Sequence, residues 1–169
     1  MGWDELAKRI KRPLAGLKVA PYWGCTLLRP REVAIDPLDE PKLFEEFLAA
    51  LGAELTPFPD ATTCCSAYQI VANETAAYAA TAKILQSAGA HGVEALALSC
   101  PLCEYNLGRR QADVRTAHGD TPPIPTFYFT QLLAIALGLP EEQLGLQFNE
   151  ESAVEFLRSR NFTEAAATA

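Results

Sequence analysis

Apolar and polar positions along this chain alternate between two rhythms, short apolar runs and longer amphipathic stretches. Residues 3–12, WDELAKRIKR, place Trp3, Leu6 and Ile10 at helical spacing. Acidic residues come early and basic ones late, as a helix dipole favours, and Pro13 and Gly16 close the segment. Leu17 to Trp23 reads as a first strand, ending at Gly24-Cys25. Residues 42–51, KLFEEFLAAL, align Leu43, Phe44, Phe47, Leu48 and Leu51 on one helical face, with Gly52 as the stop. A second strand is predicted over Glu54–Phe58, then a long Ala-rich helix from about Ala67 to Ser87, ended by Gly89. The apolar run Ala95–Leu98 is a third, buried strand. A helix should start at Pro101, since proline suits a first helical position, and run to about Asp113. After a loop over residues 114–124, Pro125–Phe129 is an aromatic fourth strand. Gln131–Leu137, capped by Thr130 and stopped by Gly138, is the helix after it. Glu150–Arg160 forms a last amphipathic helix, and residues 163–169 a frayed tail.

Strands alternating with helices imply βαβ units. The expected fold is therefore α/β, a Rossmann-like parallel sheet of about four strands flanked by helices. The chain divides into a lead-in helix (1–16), a central cysteine-rich domain (17–149) and a C-terminal helix and tail (150–169), with no internal repeat. In such sheets the loops beyond the carboxyl ends of the strands build the binding site. Cys25 follows the first strand, Cys64 and Cys65 the second, and Cys100 and Cys103 the third. All five cysteines should therefore converge on one sheet edge.

Composition narrows what that convergence can mean. The 169 residues are 49% hydrophobic and 21% charged, enough for one domain with a proper core. A net charge of −7 and a pI near 4.8 argue against a nucleic-acid partner. No stretch is apolar enough to insert in a membrane, and MGWDELAKRIKRPLAG lacks the apolar region of a signal peptide. The expected location is cytoplasmic, with membrane association only through partners. A reducing compartment disfavours structural disulfides, so five cysteines point to metal binding or catalysis.

The spacing is C-x38-C-C-x34-C-x2-C. Thiolates select zinc, copper(I) or iron–sulfur clusters. A structural zinc site takes four ligands, usually as two closely spaced pairs. Adjacent cysteines such as Cys64-Cys65 diverge, and suit two different atoms of a larger cluster better than one tetrahedral ion. Three readings stay open on residue chemistry: an iron–sulfur cluster, a zinc-binding interaction domain, and a metal-free dithiol enzyme. The last would use Cys100 and Cys103, the candidate catalytic thiols, at a helix start that favours thiolate.

The chain resembles the cysteine-rich CCG domain found in the B subunit of heterodisulfide reductase and in related redox subunits. These include subunits of archaeal-type succinate dehydrogenases and of glycolate and glycerol-3-phosphate dehydrogenases. The resemblance spans about Leu14 to Phe148 and rests on Tyr22-Trp23-Gly24-Cys25, Arg29-Pro30, Cys64-Cys65, Cys100-Pro101-Leu102-Cys103, Asn106-Leu107 and Phe129-Thr130-Gln131-Leu132-Leu133. It is greatest to the second of the two such domains in the heterodisulfide reductase protein. The resemblance implies a non-cubane 4Fe-4S cluster held by Cys25, Cys64, Cys65, Cys100 and Cys103. It also implies electron transfer or thiol–disulfide reduction within a heterodisulfide-reductase-like complex. Its partners would be iron–sulfur or flavin subunits, or a small thiol or disulfide substrate. Ser66 replaces the glycine that usually follows the paired cysteines, and the chain carries one such domain where family subunits commonly carry two.

Other residues carry weaker expectations. His91 and His118 are structural or solvent-facing, and Arg109 and Arg110 form a solvated face. Arg29 lies beside Cys25 and is a candidate anion contact. Tyr22, Trp23 and Tyr128 serve the core, and could also shield a cluster from solvent. The loop Thr26–Pro41 flanks the cysteine edge, and its Leu27, Leu28, Val33, Ile35 and Leu38 would form a docking patch if exposed.

Overall fold

The computed structural model describes residues 2–163. Four parallel strands, β1 (Lys18–Tyr22), β2 (Glu54–Leu55), β3 (Ala95–Leu98) and β4 (Thr126–Tyr128), pair in the order β2-β1-β3-β4. β1 and β3 run in register from Val19↔Ala95 to Tyr22↔Leu98, and β3 meets β4 from Leu96↔Thr126 to Leu98↔Tyr128. Successive side chains point to opposite faces of the sheet, and each face has its own core. Val19, Ala95, Ala97 and Phe127 pack under α1 (Trp3–Ala7), α2 (Leu43–Ala50), α6 (Phe129–Ala136) and α7 (Glu151–Ser159). Ala20, Tyr22, Leu96 and Leu98 pack under α3 (Glu74–Ala90) and the run that includes α4 (Pro101–Glu104) and α5 (Gln111–Ala117). The expected α/β class and parallel four-stranded sheet are thus what the chain forms.

Several boundaries differ for identifiable reasons. β2 stops at Leu55 rather than Phe58, because its neighbour β1 carries Pro21, which has no N–H to offer beyond the Val19↔Leu55 pair. The chain then turns through Pro59–Thr62, whose Ala61 carbonyl accepts from the Trp23 and Gly24 N–H groups. α1 ends at Ala7, and the Lys11 and Arg12 N–H groups go instead to the Ala136 carbonyl at the end of α6. The long Ala-rich helix is two pieces, a 3-10 turn at Ala67–Gln69 and then α3. Asn73 caps α3 by accepting from the Ala76 N–H at 3.0 Å. Gly89 lies inside α3 rather than ending it. A Cβ there would stand 2.6 Å from Pro122 Cγ, so glycine is needed for close packing.

The helix from Pro101 is also segmented. Between α4 and α5, Tyr105–Arg109 form a π-turn, closed by Arg110 N–H to the Tyr105 carbonyl, and α5 continues through Ala117. α6 starts at Phe129 with Tyr128 as its N-cap, so Thr130 does not cap it; Gln131 Oε1 accepts from the Tyr128 N–H at 3.0 Å. In the Thr26–Pro41 loop, Leu28 is buried in the core, whereas Val33, Ile35 and Leu38 are exposed. Arg109 and Arg110 are paired rather than merely solvated, Arg109 with Glu104 and Arg110 with Glu74 and Asp113. The frayed tail lies, from residue 164 onward, outside the described residues. No helix among the described residues is long and apolar enough to cross a membrane.

Candidate cysteine centre

Three strand ends deliver the five thiols to one edge. β1 leads through Gly24, at φ +61°, to Cys25. A Cβ at Gly24 would lie 3.2 Å from Cys103 Sγ and 3.4 Å from Tyr22 Cε1, so the bare backbone is what lets this strap cross the site. The turn after β2 presents Cys64 and Cys65. Beyond β3, Cys100 is the N-cap of α4 with Pro101 following it, as the proline position anticipates, and Cys103 sits one turn on. Cys65 and Cys103 are buried; Cys25, Cys64 and Cys100 are partly exposed, and all five are free thiols.

The adjacent pair splits. Cys64 Sγ lies 3.7 Å from Cys25 Sγ, while Cys65 Sγ lies 3.5 Å from Cys103 Sγ. The Ser66 N–H donates to Cys64 Sγ at 3.4 Å. Ser66 itself is left-handed, with φ 57° and ψ 24°, which explains why glycine suits this position in the related domains. An L residue there costs roughly 1–2 kcal/mol. Glycine would remove that strain but loosen the unfolded chain by about 0.4–1 kcal/mol. Ser66→Gly is therefore expected to stabilise the protein by a net ~0.5–1 kcal/mol, raising Tm by about 1–4 °C. An unchanged or lower melting temperature in a thermal scan would refute this.

The thiols are electrostatically unequal. The hydrogen bond with Cys103 lowers the Cys65 pKa to about 7, helped by backbone N–H groups and opposed by burial. Cys103 is pushed up, first by that same hydrogen bond and then by burial, so the shared proton rests on Cys103. Burial also raises Cys25. Tyr22, buried among Cys65, Cys103, Cys64 and Cys25, is held protonated by desolvation and by these thiols. Next to Cys103, burial raises the pKa of Glu104, which pairs with Arg109 at 3.3 Å.

Further residues support the loop. Tyr22 Oη donates to the Thr63 carbonyl at 2.5 Å, Asn106 Nδ2 to the Cys65 carbonyl at 2.8 Å, and Arg29 Nη1 to the Thr62 carbonyl at 3.1 Å. Arg29 thus braces the cysteine loop. His91 caps the end of α3, with Nδ1 2.7 Å from the Ser87 carbonyl, at the opposite edge of the sheet; His118 ends α5. Sequence reasoning overlooked the supporting role of Asn106. Its signals are its place in the Asn106-Leu107 motif of the resemblance and its position one turn beyond Cys103. Among the described residues no three Cys, His, Asp or Glu side chains are grouped around a single ion. The thiols meet as two pairs plus Cys100.

A parallel α/β sheet with cysteines gathered beyond three of its strands defines a cysteine-rich α/β domain. Residues 19–108 match the CCG family, described as "Cysteine-rich domain", and the chain belongs to that family. It is 33% identical over 147 residues to the 8-methylmenaquinol:fumarate reductase membrane anchor subunit of Wolinella succinogenes, covering 86% of this chain and 52% of that protein. It is 32% identical over 162 residues to the B subunit of the ferredoxin/F(420)H(2)-dependent CoB-CoM heterodisulfide reductase of Methanosarcina acetivorans, covering 93% and 53%. The chain therefore spans about half the length of these relatives. A crystal structure of a hypothetical protein from Helicobacter pylori shares the fold, with a TM-score of 0.66 at 15% identity over 87% of this chain and 27% of that one.

Proposed function

We propose that this domain holds an iron–sulfur cluster of non-cubane 4Fe-4S type through Cys25, Cys64, Cys65, Cys100 and Cys103, and carries electrons within a multi-subunit redox complex. The observation that carries this reading is the split of the adjacent pair, Cys64 toward Cys25 and Cys65 toward Cys103. Two neighbouring thiols aimed at different partners suit a multi-atom group rather than one tetrahedral ion. The donor set fits: five soft ligands, one already shifted toward thiolate at neutral pH, beside a cradle that a Cβ at Gly24 would obstruct. When bound, the cluster would supply one-electron redox chemistry. Tyr22, buried beside Cys65 and Cys103, lines the approach from the core and keeps water from that side. Similarity to a heterodisulfide reductase subunit and a fumarate reductase subunit supports other redox subunits as partners, with iron–sulfur or flavin centres as the electron source. Reduction of a small disulfide, with Cys100 and Cys103 as the catalytic thiols, is the finer form of this proposal.

The test is iron, zinc and acid-labile sulfide analysis of the anaerobically purified chain, with its absorption spectrum. A brown protein with comparable iron and sulfide supports the proposal. A colourless protein with stoichiometric zinc makes it an interaction domain built on the same cysteines.

A further inference from the structure

We propose that Tyr22 and Asn106 are positioning residues that clamp the carbonyls on either side of Cys64, and so send the adjacent thiols of Cys64 and Cys65 to different partners. The inference deepens the cluster reading, because it concerns how that ligand set is held apart.

Adjacent residues in an unrestrained loop can rotate their side chains toward a common neighbour. Here the backbone that sets the direction of each Cα–Cβ bond is held from two sides. Tyr22, at the end of β1 and 1% exposed, donates its phenol hydrogen to the Thr63 carbonyl at 2.5 Å. Asn106, in the π-turn and also 1% exposed, donates from Nδ2 to the Cys65 carbonyl at 2.8 Å. Because that carbonyl can only accept, the amide orientation of Asn106 is settled by chemistry. The two bonds fix the carbonyls of Thr63 and Cys65, the residues before and after Cys64 in peptide order. The left-handed Ser66 then turns the chain away, and its N–H holds Cys64 Sγ. Asn106 and Cys103 lie one turn apart, so a single helical segment grips Cys65 at both its carbonyl and its sulfur. Asn106 Oδ1 is buried without a hydrogen-bond partner among the described residues, so solvation does not explain this side chain's place in the interior.

Metal-free protein reports the clamp directly. A disulfide requires the two sulfurs to close to about 2.05 Å, and only the nearest pairs reach this without moving backbone. Limited oxidation of the full, chelator-stripped chain with diamide takes two electrons and two protons from each thiol pair. The S–S bond forms and diamide becomes its hydrazine. Among links that involve Cys64 or Cys65, mass mapping of wild type should give mainly Cys25–Cys64 and Cys65–Cys103, with Cys100–Cys103 the competing link for Cys103. Tyr22→Phe, which keeps the ring, and Asn106→Leu, which keeps the bulk, should raise other pairings of Cys64 or Cys65 by about fivefold, the ratio that one net hydrogen bond corresponds to. Leu48→Val, a core change away from the site, should keep the wild-type pairs. Unchanged pairing in both variants overturns the clamp, as does equal scrambling in Leu48→Val. If Asn106→Leu does not fold, Tyr22→Phe decides alone. Absence of iron and sulfide from the purified wild type would sink the cluster reading while leaving this measurement intact.

Discussion

Cys65→Ala is expected to lose most of the iron of the proposed cluster while leaving the sheet folded. Cys65 is 2% exposed, contacts Cys103 at 3.5 Å, and has its thiol lowered to about 7. It is thus both a thiol whose surroundings favour the thiolate and the hinge between the strap after β2 and the helix after β3. Losing a group that merely supports a metal ligand typically costs 10–100-fold in metal affinity. Loss of a ligand itself should exceed roughly that range. Alanine removes one sulfur and leaves the apolar side chains packed around it, Tyr22 and Phe58 among them, so the fold should survive. The measurement is iron and sulfide per chain after anaerobic reconstitution, alongside a thermal melt. Wild-type iron in a folded Cys65→Ala protein would remove Cys65 from the ligand set, and with it the support that the split pair lends. Cys103→Ala should act alike, since Cys103 is buried against the same sulfur.

Much of this site was legible because its geometry follows from punctuation. A parallel strand must end before its loop can carry chemistry, and the apolar runs at Leu17–Trp23 and Ala95–Leu98 end just before Cys25 and Cys100. The convergence of the cysteines therefore needed only strand assignments and the carboxyl-end rule. The shortness of β2 was not legible locally, because its cause is Pro21 in a different strand. The break before α3 was present as Asn73-Glu74, a capping signal, but the Ala-rich periodicity on both sides obscured it. The π-turn was not legible at all. A five-residue hydrogen-bond spacing leaves no pattern distinct from an ordinary helix over so short a run. The same holds for Asn106, whose meaning depends on a carbonyl 41 residues earlier in the chain. Ser66 reads in the sequence as a departure from the usual glycine; its left-handed backbone is one that glycine adopts without strain.

Trp23→Ala is expected to be the most destabilising single change near the site, at about 3–5 kcal/mol. Trp23 is 2% exposed and meets Phe44 edge-on, with centroids 5.6 Å apart and planes at 90°. Phe44 in turn meets Phe47 and Phe129, so the indole anchors an aromatic cluster joining α2 and α6 above the sheet. Truncation leaves a cavity that this cluster cannot collapse to fill, because its rings are fixed on two separate helices. Against a typical total stability of about 5–15 kcal/mol, the loss is a large fraction, and Tm should fall by roughly 6–20 °C. Trp23 is also the residue from which the strap to Cys25 departs, with its N–H on the Ala61 carbonyl at 2.9 Å. Packing of the core and placement of the first cysteine are therefore coupled. Below its melting temperature the variant should release iron to a chelator faster than wild type. A Leu48→Ala variant, equally core-disrupting on α2 but remote from the strap, should not. Urea unfolding with an unchanged m-value separates lost stability from a changed unfolded state. A cost below about 1 kcal/mol would show that the cluster repacks. Equal iron release from both variants would show that the strap is positioned independently of the indole.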